Sequence, residues 1–267
     1  MSTFTTTAAP APEAEAAPET SKTSQPQPQS QPTSIRLEIL DSPTTPASTF
    51  TALFHLLTSA FGGSGGSSPI WDNMYPPPRP PLEEQAAVGA RQHALEIKNP
   101  NVVYVLALGS FADGEERPLG LAVWGKPGYR WKPLVEEKMD KEERDAYLGY
   151  NLEFRNEWRG TLQRHRDELM GVELYWYLSI LAVHPSYQKY KIGSTLIDYG
   201  LAFADAAQLP ALLESSPAGK RLYESRKFLK EGEFPSCAAW QGMEDLRFPL
   251  YRRLARGTGA AETLMLE

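Results

Sequence analysis

The residues best placed to do chemistry lie between positions 174 and 194. An almost uninterrupted apolar run, residues 174–183, stops at His184-Pro185. A polar turn over residues 186–191 follows, then Gly193 and a helical pattern over residues 194–206. A central strand that feeds a polar, glycine-bearing turn and a helix N-terminus is a geometry for holding phosphate. The first N–H groups of a helix have no internal partners, and the helix dipole adds roughly half a positive charge there. Gly193 lets a ligand approach the backbone closely. An ordinary strand-to-helix turn has the same pattern, so the turn alone assigns nothing.

Other chemistries lack their residues. The glycine-rich dinucleotide fingerprint and the Walker pattern are absent. Cys237 is the only cysteine, which excludes a disulfide-stapled scaffold and leaves no set for a zinc cluster. His55, His93, His165 and His184 lie too far apart for a local metal spacing, so no metal is expected. A net charge of −6 argues against a general nucleic-acid binder and weakly favours cationic partners such as amines. The apolar run is about half the ~20 residues of a membrane-spanning helix, so no membrane partner is expected either.

Periodicity sets out the elements that must position this turn. Residues 1–34 are nearly all Thr, Ala, Pro, Ser, Gln and Glu and are predicted to be a disordered tail. They have no apolar core of a signal peptide and no arginine, and they carry Glu13, Glu15 and Glu19, which leaves cytoplasm or nucleus as the expected location. Order is expected from Ile35, with a strand over residues 35–40. Thr45-Pro46 reads as a cap and helix start, with Phe50, Phe54, Leu57 and Phe61 on one face. After a Gly/Ser loop (62–68) and an extended proline segment (76–81), a second helix carries Leu82, Ala86, Ala90, Ala94 and Ile97. Strands at 102–108 and 119–124 are joined across Asp113-Gly114, a hairpin-type pair. Residues 134–170 are predicted to form one long surface helix with Tyr147, Phe154, Trp158 and Leu169 near one face, stopping at Gly171. The run 174–183 reads as a strand in the middle of a sheet. A short strand at 209–214, a helix capped by Ser216-Pro217, and strands at 228–234 and 246–251 complete the pattern. Residues 254–267 carry no usable pattern.

Two blocks in this half resemble a family. Residues 178–194, LSILAVHPSYQKYKIGS, look like the acetyl-CoA-binding segment of the GNAT superfamily of N-acetyltransferases, particularly its fungal members. That segment usually reads Q/R-x-x-G-x-G/A, and Gln188 and Gly193 fill its first and last positions. Downstream, residues 213–219, then Leu222, Tyr223 and Phe228, are similar to the family's second block. Lys191 and Lys227 stand where two glycines of these blocks are usual. The resemblance covers most of residues 35–253. It implies a mixed α/β (α+β) fold, with a largely antiparallel central sheet flanked by helices and the 134–170 insertion before the central strand.

The resemblance also implies acetyl-CoA as acyl donor. Backbone groups of Leu181, Ala182 and Val183 would pair with the pantetheine arm. The backbone of Gln188, Lys189, Tyr190, Lys191, Ile192, Gly193 and Ser194 would hold the pyrophosphate. Tyr223 would be the general acid, since a phenol near pKa 10 can protonate a departing thiolate. Glu173 and Glu214, at strand ends, are candidate bases for the amine, though the first reading of each is a solvated strand-end carboxylate. Tyr175, Trp176 and Tyr177 could line an acceptor pocket or pack in the core. His184 reads as a turn residue. The expected activity is direct acetyl transfer to a primary amine, on a small molecule or a peptide. A non-enzymatic module of the same fold, binding acyl-CoA or a protein partner, is the alternative, and an unrelated α/β binding protein is a third.

Overall fold

The structure is a computed structural model, and it describes residues 31–62, 68–235 and 237–256. Nearly all of the expected N-terminal and C-terminal tails, and most of the Gly/Ser loop, lie outside the described residues.

The first strand, β1, spans Ser34–Leu40 and pairs with β2, Val102–Ser110. Helix α1, Ala47–Phe61, lies between them in sequence. Its N-cap is Pro46, and the expected Thr45 cap is not formed. The Thr45 hydroxyl instead accepts the Asp41 N–H, while the Asp41 carboxylate accepts from Thr44, so these polar groups close the preceding turn. Phe50, Phe54 and Leu57 face inward as expected, but Phe61 is exposed. A short helix, α2, Pro69–Met74, was not expected. Ser68 caps it by accepting the Trp71 N–H, with Pro69 in its first turn. Helix α3 spans Leu82–Glu96, with Leu82 exposed at its start.

Strands β2 and β3, Glu116–Gly125, form the expected hairpin. Gly114 takes φ +83 in the turn, and the Phe111 N–H bonds to the Glu115 carbonyl. The long helix expected at 134–170 is broken. A 3-10 turn, Glu136–Lys138, precedes α4, Lys141–Ala146, and α5 begins only at Leu152, running Leu152–Met170. Asp140 and Glu143 form a reciprocal capping box on α4, Gly149 takes φ +73 in the gap, and the Asn151 side chain caps α5. Nor is α5 a surface helix. It buries Phe154 and Leu162 together with Arg155, Gln163 and Arg166.

Strand β4 is Trp176–Val183, and α6, Ile192–Ala206, follows it. Then come β5, Ala211–Glu214, α7, Lys220–Ser225, β6, Leu229–Pro235, and β7, Arg247–Arg253. The sheet order is β1-β2-β3-β4-β5-β7-β6, and only β4 and β5 run parallel. Helix α6 covers one face through Ile192, Leu196, Ile197 and Leu201, packed on Trp124, Trp176 and Leu213. Helices α1 and α3 cover the other face over Tyr104, Leu106, Leu121 and Val123.

Strand β4 changes phase partway along. Val123 pairs with Ile180 but Trp124 pairs with Leu178, so Ser179 is an extra residue, a β-bulge, and its hydroxyl donates to the Val123 carbonyl. Before the bulge Trp176 and Leu178 face α6; after it Leu181 and Val183 do. A one-residue insertion swaps the faces because strand side chains alternate with period two.

Candidate active site

The parallel pair splits at this bulge. Strands β4 and β5 are in register only at Trp176–Ala211, Tyr177–Leu212 and Leu178–Leu213. Beyond Leu178, β4 stays paired with β3 through Val183, while β5 ends at Glu214 and the Ser215 N–H turns to the Pro249 carbonyl. One edge of β4, over Ile180, Leu181, Ala182 and Val183, therefore faces a V-shaped cleft with no strand beside it. An edge with free backbone groups is a template for an extended ligand.

The turn lies at the open end of that cleft. His184 closes a 3-10 turn, Pro185–Tyr187, through its Nδ1, which accepts the Ser186 N–H; burial lowers its pKa, and it is the turn residue expected. Tyr187 anchors the turn against Phe111. Helix α6 starts two residues earlier than expected, at Ile192, with Lys191 as its N-cap in the left-handed region (φ 62, ψ 9). Lys189 also has positive φ, at 73. Among the described residues, no backbone N–H from Lys189, Tyr190, Lys191, Ile192, Gly193 or Ser194 has an acceptor. Consecutive open N–H groups at left-handed turns and a helix start are a geometry suited to an anion.

Tyr223 stands on α7 beside that helix start, where Leu222 packs near Gly193. It belongs to the same buried cluster as Leu181 and Val183. Its ring packs against Gly219, where a Cβ would sit 2.4 Å from its Cε2, and meets Phe228 at a centroid distance of 6.0 Å. The expected Ser216 cap is absent, because α7 begins after Gly219, and Ser216 supplies only its carbonyl, to the Gly219 N–H. The far end of α7 is fixed by a Schellman motif: the Phe228 N–H bonds the Tyr223 carbonyl, and the Lys227 N–H bonds that of Glu224. Lys227 takes the left-handed position, φ 66. The Tyr223 hydroxyl has no partner among the described residues, and burial pushes its pKa up to about 12.

Lys191 and Lys227 thus hold the two backbone conformations that glycine adopts without strain. A side chain there costs about 1–2 kcal/mol, while glycine gives back about 0.5–1 kcal/mol in unfolded-chain entropy. Lys191→Gly and Lys227→Gly are each expected to raise stability by about 0.5–1 kcal/mol, additively in the double variant, as read from denaturant midpoints at constant m-value. Destabilisation by either would mean that its side chain contributes more than its backbone costs.

The two candidate bases do not meet Tyr223. Glu173 is exposed, ahead of β4 and at the opposite end from the turn. Glu214 is not a solvated strand-end carboxylate. Its Oε1 accepts from Arg166 at 2.5 Å, its Oε2 accepts the Tyr177 hydroxyl at 2.8 Å, and its side chain is 8% exposed. Tyr175, Trp176 and Tyr177 are core residues rather than pocket walls: Trp176 stacks on Phe203, and Tyr177 on Tyr129. Cys237 is buried in a separate cluster with Phe154 and Met243.

Sequence reasoning missed the acceptor-sized space. A cavity of about 500 Å³ opens where Ser179 and Ile180 cross the sheet, lined also by Glu96, Tyr104, Trp131, Arg155 and Arg159. Burial alone would raise the pKa of Glu96, but His93, Arg159 and Arg155 and the Tyr104 hydroxyl hold it below the usual carboxylate range. Its neighbours come from α3, the 127–132 loop and α5, and no local spacing announces them. Among the described residues, no group of three or more His, Cys, Asp or Glu is arranged to hold a metal, and no helix is long and apolar enough to cross a membrane.

The seven-stranded, mostly antiparallel sheet flanked by helices gives a mixed α/β fold that is shared with solved N-acetyltransferases. No protein-family model matches the sequence, and no curated protein is similar to it. Solved structures are. The polyamine N-acetyltransferase of Drosophila melanogaster, which forms N-acetylagmatine, has a TM-score of 0.53 at 14% identity, covering 83% of this chain and 100% of that one. Mosquito arylalkylamine N-acetyltransferase like 5b gives 0.52 at 15% identity, with 83% and 100% covered. An agmatine N-acetyltransferase gives 0.52 at 13%, with 82% and 99% covered. At these identities the likeness is one of fold.

Proposed function

We propose that this protein transfers the acetyl group of acetyl-CoA directly to a primary amine. The observation that carries this reading is the split between β4 and β5, with six open N–H groups at its mouth. That arrangement suits a ligand with an amide-bearing arm and a diphosphate: the free edge of Leu181, Ala182 and Val183 takes the arm, and residues 188–194 take the charge. Bound acetyl-CoA supplies a thioester carbonyl and a thiolate leaving group. Ser179 and Ile180, at the split, also line the cavity, so an amine held there would lie beside the β4 edge that takes the arm. The amine attacks as the free base; its nitrogen forms the new C–N bond as the C–S bond breaks. Tyr223 then donates its hydroxyl proton to the departing sulfur. The proton that the nitrogen sheds passes to water, from which the Tyr223 phenolate is reprotonated after turnover.

Gly193→Ala tests the cradle. A Cβ at Gly193 would meet Leu222 and Val183 at 3.4 and 3.5 Å, ordinary contacts, so the fold tolerates it. Thermal stability should therefore hold, while a diphosphate on the open N–H groups would be pushed away. CoA affinity in titration calorimetry is expected to fall by at least about tenfold, or 1.4 kcal/mol. Lys191→Gly, in contrast, is expected to tighten CoA by less than tenfold. Unchanged CoA binding in Gly193→Ala would place the ligand elsewhere. Thiol release with a panel of amines then separates an enzyme from an acyl-CoA-binding module of the same fold, which would bind CoA and release no thiol.

A further inference from the structure

The cavity behind the β4 bulge holds more positive charge than the described residues neutralise. Arg130, Lys132, Arg155 and Arg159 line it, against the single carboxylate of Glu96. Arg130 is ion-paired with Asp167. Lys132 is exposed at the rim and has no partner among the described residues. Glu96 is already committed, its two oxygens accepting the hydroxyls of Tyr104 at 3.0 Å and Tyr147 at 3.2 Å.

The two inner arginines share that one carboxylate and neither is fully satisfied. Arg155 is 6% exposed; its nearest carboxylate oxygen, on Glu96, is 4.0 Å away, and its Nη1 is buried without a partner. It rests on the rings of Tyr147 and Trp131. Arg159 makes no hydrogen bond or ion pair to any described residue, and its Nε is buried. The Trp131 indole N–H, also in the wall, is buried and unpaired. Every orphaned polar atom of this wall is a donor. Buried N–H groups without acceptors are costly in a folded chain, and a group that would satisfy them brings acceptors and, beside two guanidinium groups, negative charge.

We propose that this cavity selects an acceptor amine that also bears a carboxylate, gripped by Arg159 and Arg155 while the amine points past Ser179 into the cleft. The inference rests on the acetyltransferase reading for the role of the amine, but not for binding of the carboxylate. A planar guanidinium fork matches a carboxylate with two parallel N–H···O bonds. Diamines would place a second cation in a field already positive.

The test uses the full chain with ω-amino acids from glycine to 6-aminohexanoate, each beside its amide and the diamine of similar length. Calorimetry at saturating CoA should register the carboxylates and not the amides, with a kcat/KM preference of at least about 30-fold for the best member. Arg159→Met should raise KM for that carboxylate roughly 10- to 100-fold, with kcat nearly unchanged and the amide unaffected. The same variant should melt no lower than wild type without ligand, since it removes a donor, Nε, that is buried without an acceptor. Arg159→Lys, which keeps charge without the fork, should fall between. Equal or better use of amides or diamines, preference for an aminoalkyl phosphate, or carboxylate binding untouched by Arg159→Met would each overturn the inference. If thiol release is absent with every amine, the acetyltransferase reading fails, while calorimetry of the carboxylates still decides the cavity.

Discussion

Tyr223→Phe is expected to lower turnover roughly 10²–10⁴-fold while leaving CoA affinity and melting temperature nearly unchanged. The ring keeps its seat on Gly219 and its contact with Phe228, and the lost hydroxyl strands no partner among the described residues. A phenol at about 12 is a weaker acid than the thiol it must regenerate, near 8.5 in water. The same dry site opposes charge on sulfur as well, so burial raises both groups and the gap stays closer to its solution value. The pH profile carries the sign. A raised pKa keeps Tyr223 protonated through neutral and mildly alkaline pH. The rate should climb as the acceptor ammonium loses its proton and should not turn down until pH approaches 12. A descending limb centred near pH 8 or 9, or wild-type turnover in the variant with any accepted amine, would remove Tyr223 from the role.

Much of this site was legible because its signals are local. The order strand, turn, helix over residues 174–206 follows from an apolar run, a proline stop and a glycine. Lys191 and Lys227 stood out only against a family pattern, and both take left-handed backbone in the structure. The break between α4 and α5 was also written in the chain, in Asp140 with Glu143, Gly149 and Asn151. A dense run of charged residues at roughly helical spacing outweighed those punctuation marks. The same oversight hid α2, whose Ser68-Pro69 start matches the rule applied to Thr45-Pro46, where the cap does not form.

The bulge and the cavity were not legible, for a different reason. A strand that alternates apolar and polar residues shows a phase slip as two like residues in succession. Strand β4 is buried on both faces and apolar almost throughout, so a slip at Ser179 leaves no trace in the pattern. The cavity is assembled from α3, the end of β3, the loop after it and α5. Arg155 and Arg159 read locally as the polar face of an amphipathic helix. Only tertiary packing turns that face inward and leaves guanidinium N–H groups without acceptors.

Glu214→Ala is expected to cost about 3–5 kcal/mol of stability, the range for breaking a buried ion pair from one side. Glu214 ends β5 at the point where the parallel pair splits, and it is held there by Arg166 and Tyr177. Arg166 is 2% exposed, its guanidinium stacks 3.8 Å over the Tyr177 ring, and its Nε already lacks a partner. Without Glu214, its remaining polar contact is the Gln163 side-chain oxygen at 3.2 Å. A domain of this size should lose roughly 6–20 °C in melting temperature. Most of that is the penalty of an orphaned guanidinium rather than the net worth of the pair, so Arg166→Met combined with Glu214→Leu should recover a large part of it. A general base would behave differently: Glu214→Gln would then abolish turnover at unchanged stability, assayed well below the melting transition. A brace predicts the reverse, with folded Glu214→Gln retaining turnover within about tenfold, since the amide still offers an oxygen to Arg166. Loss of turnover in a Glu214→Gln protein that melts like wild type would return this carboxylate to the chemistry and leave the split in the sheet without its brace.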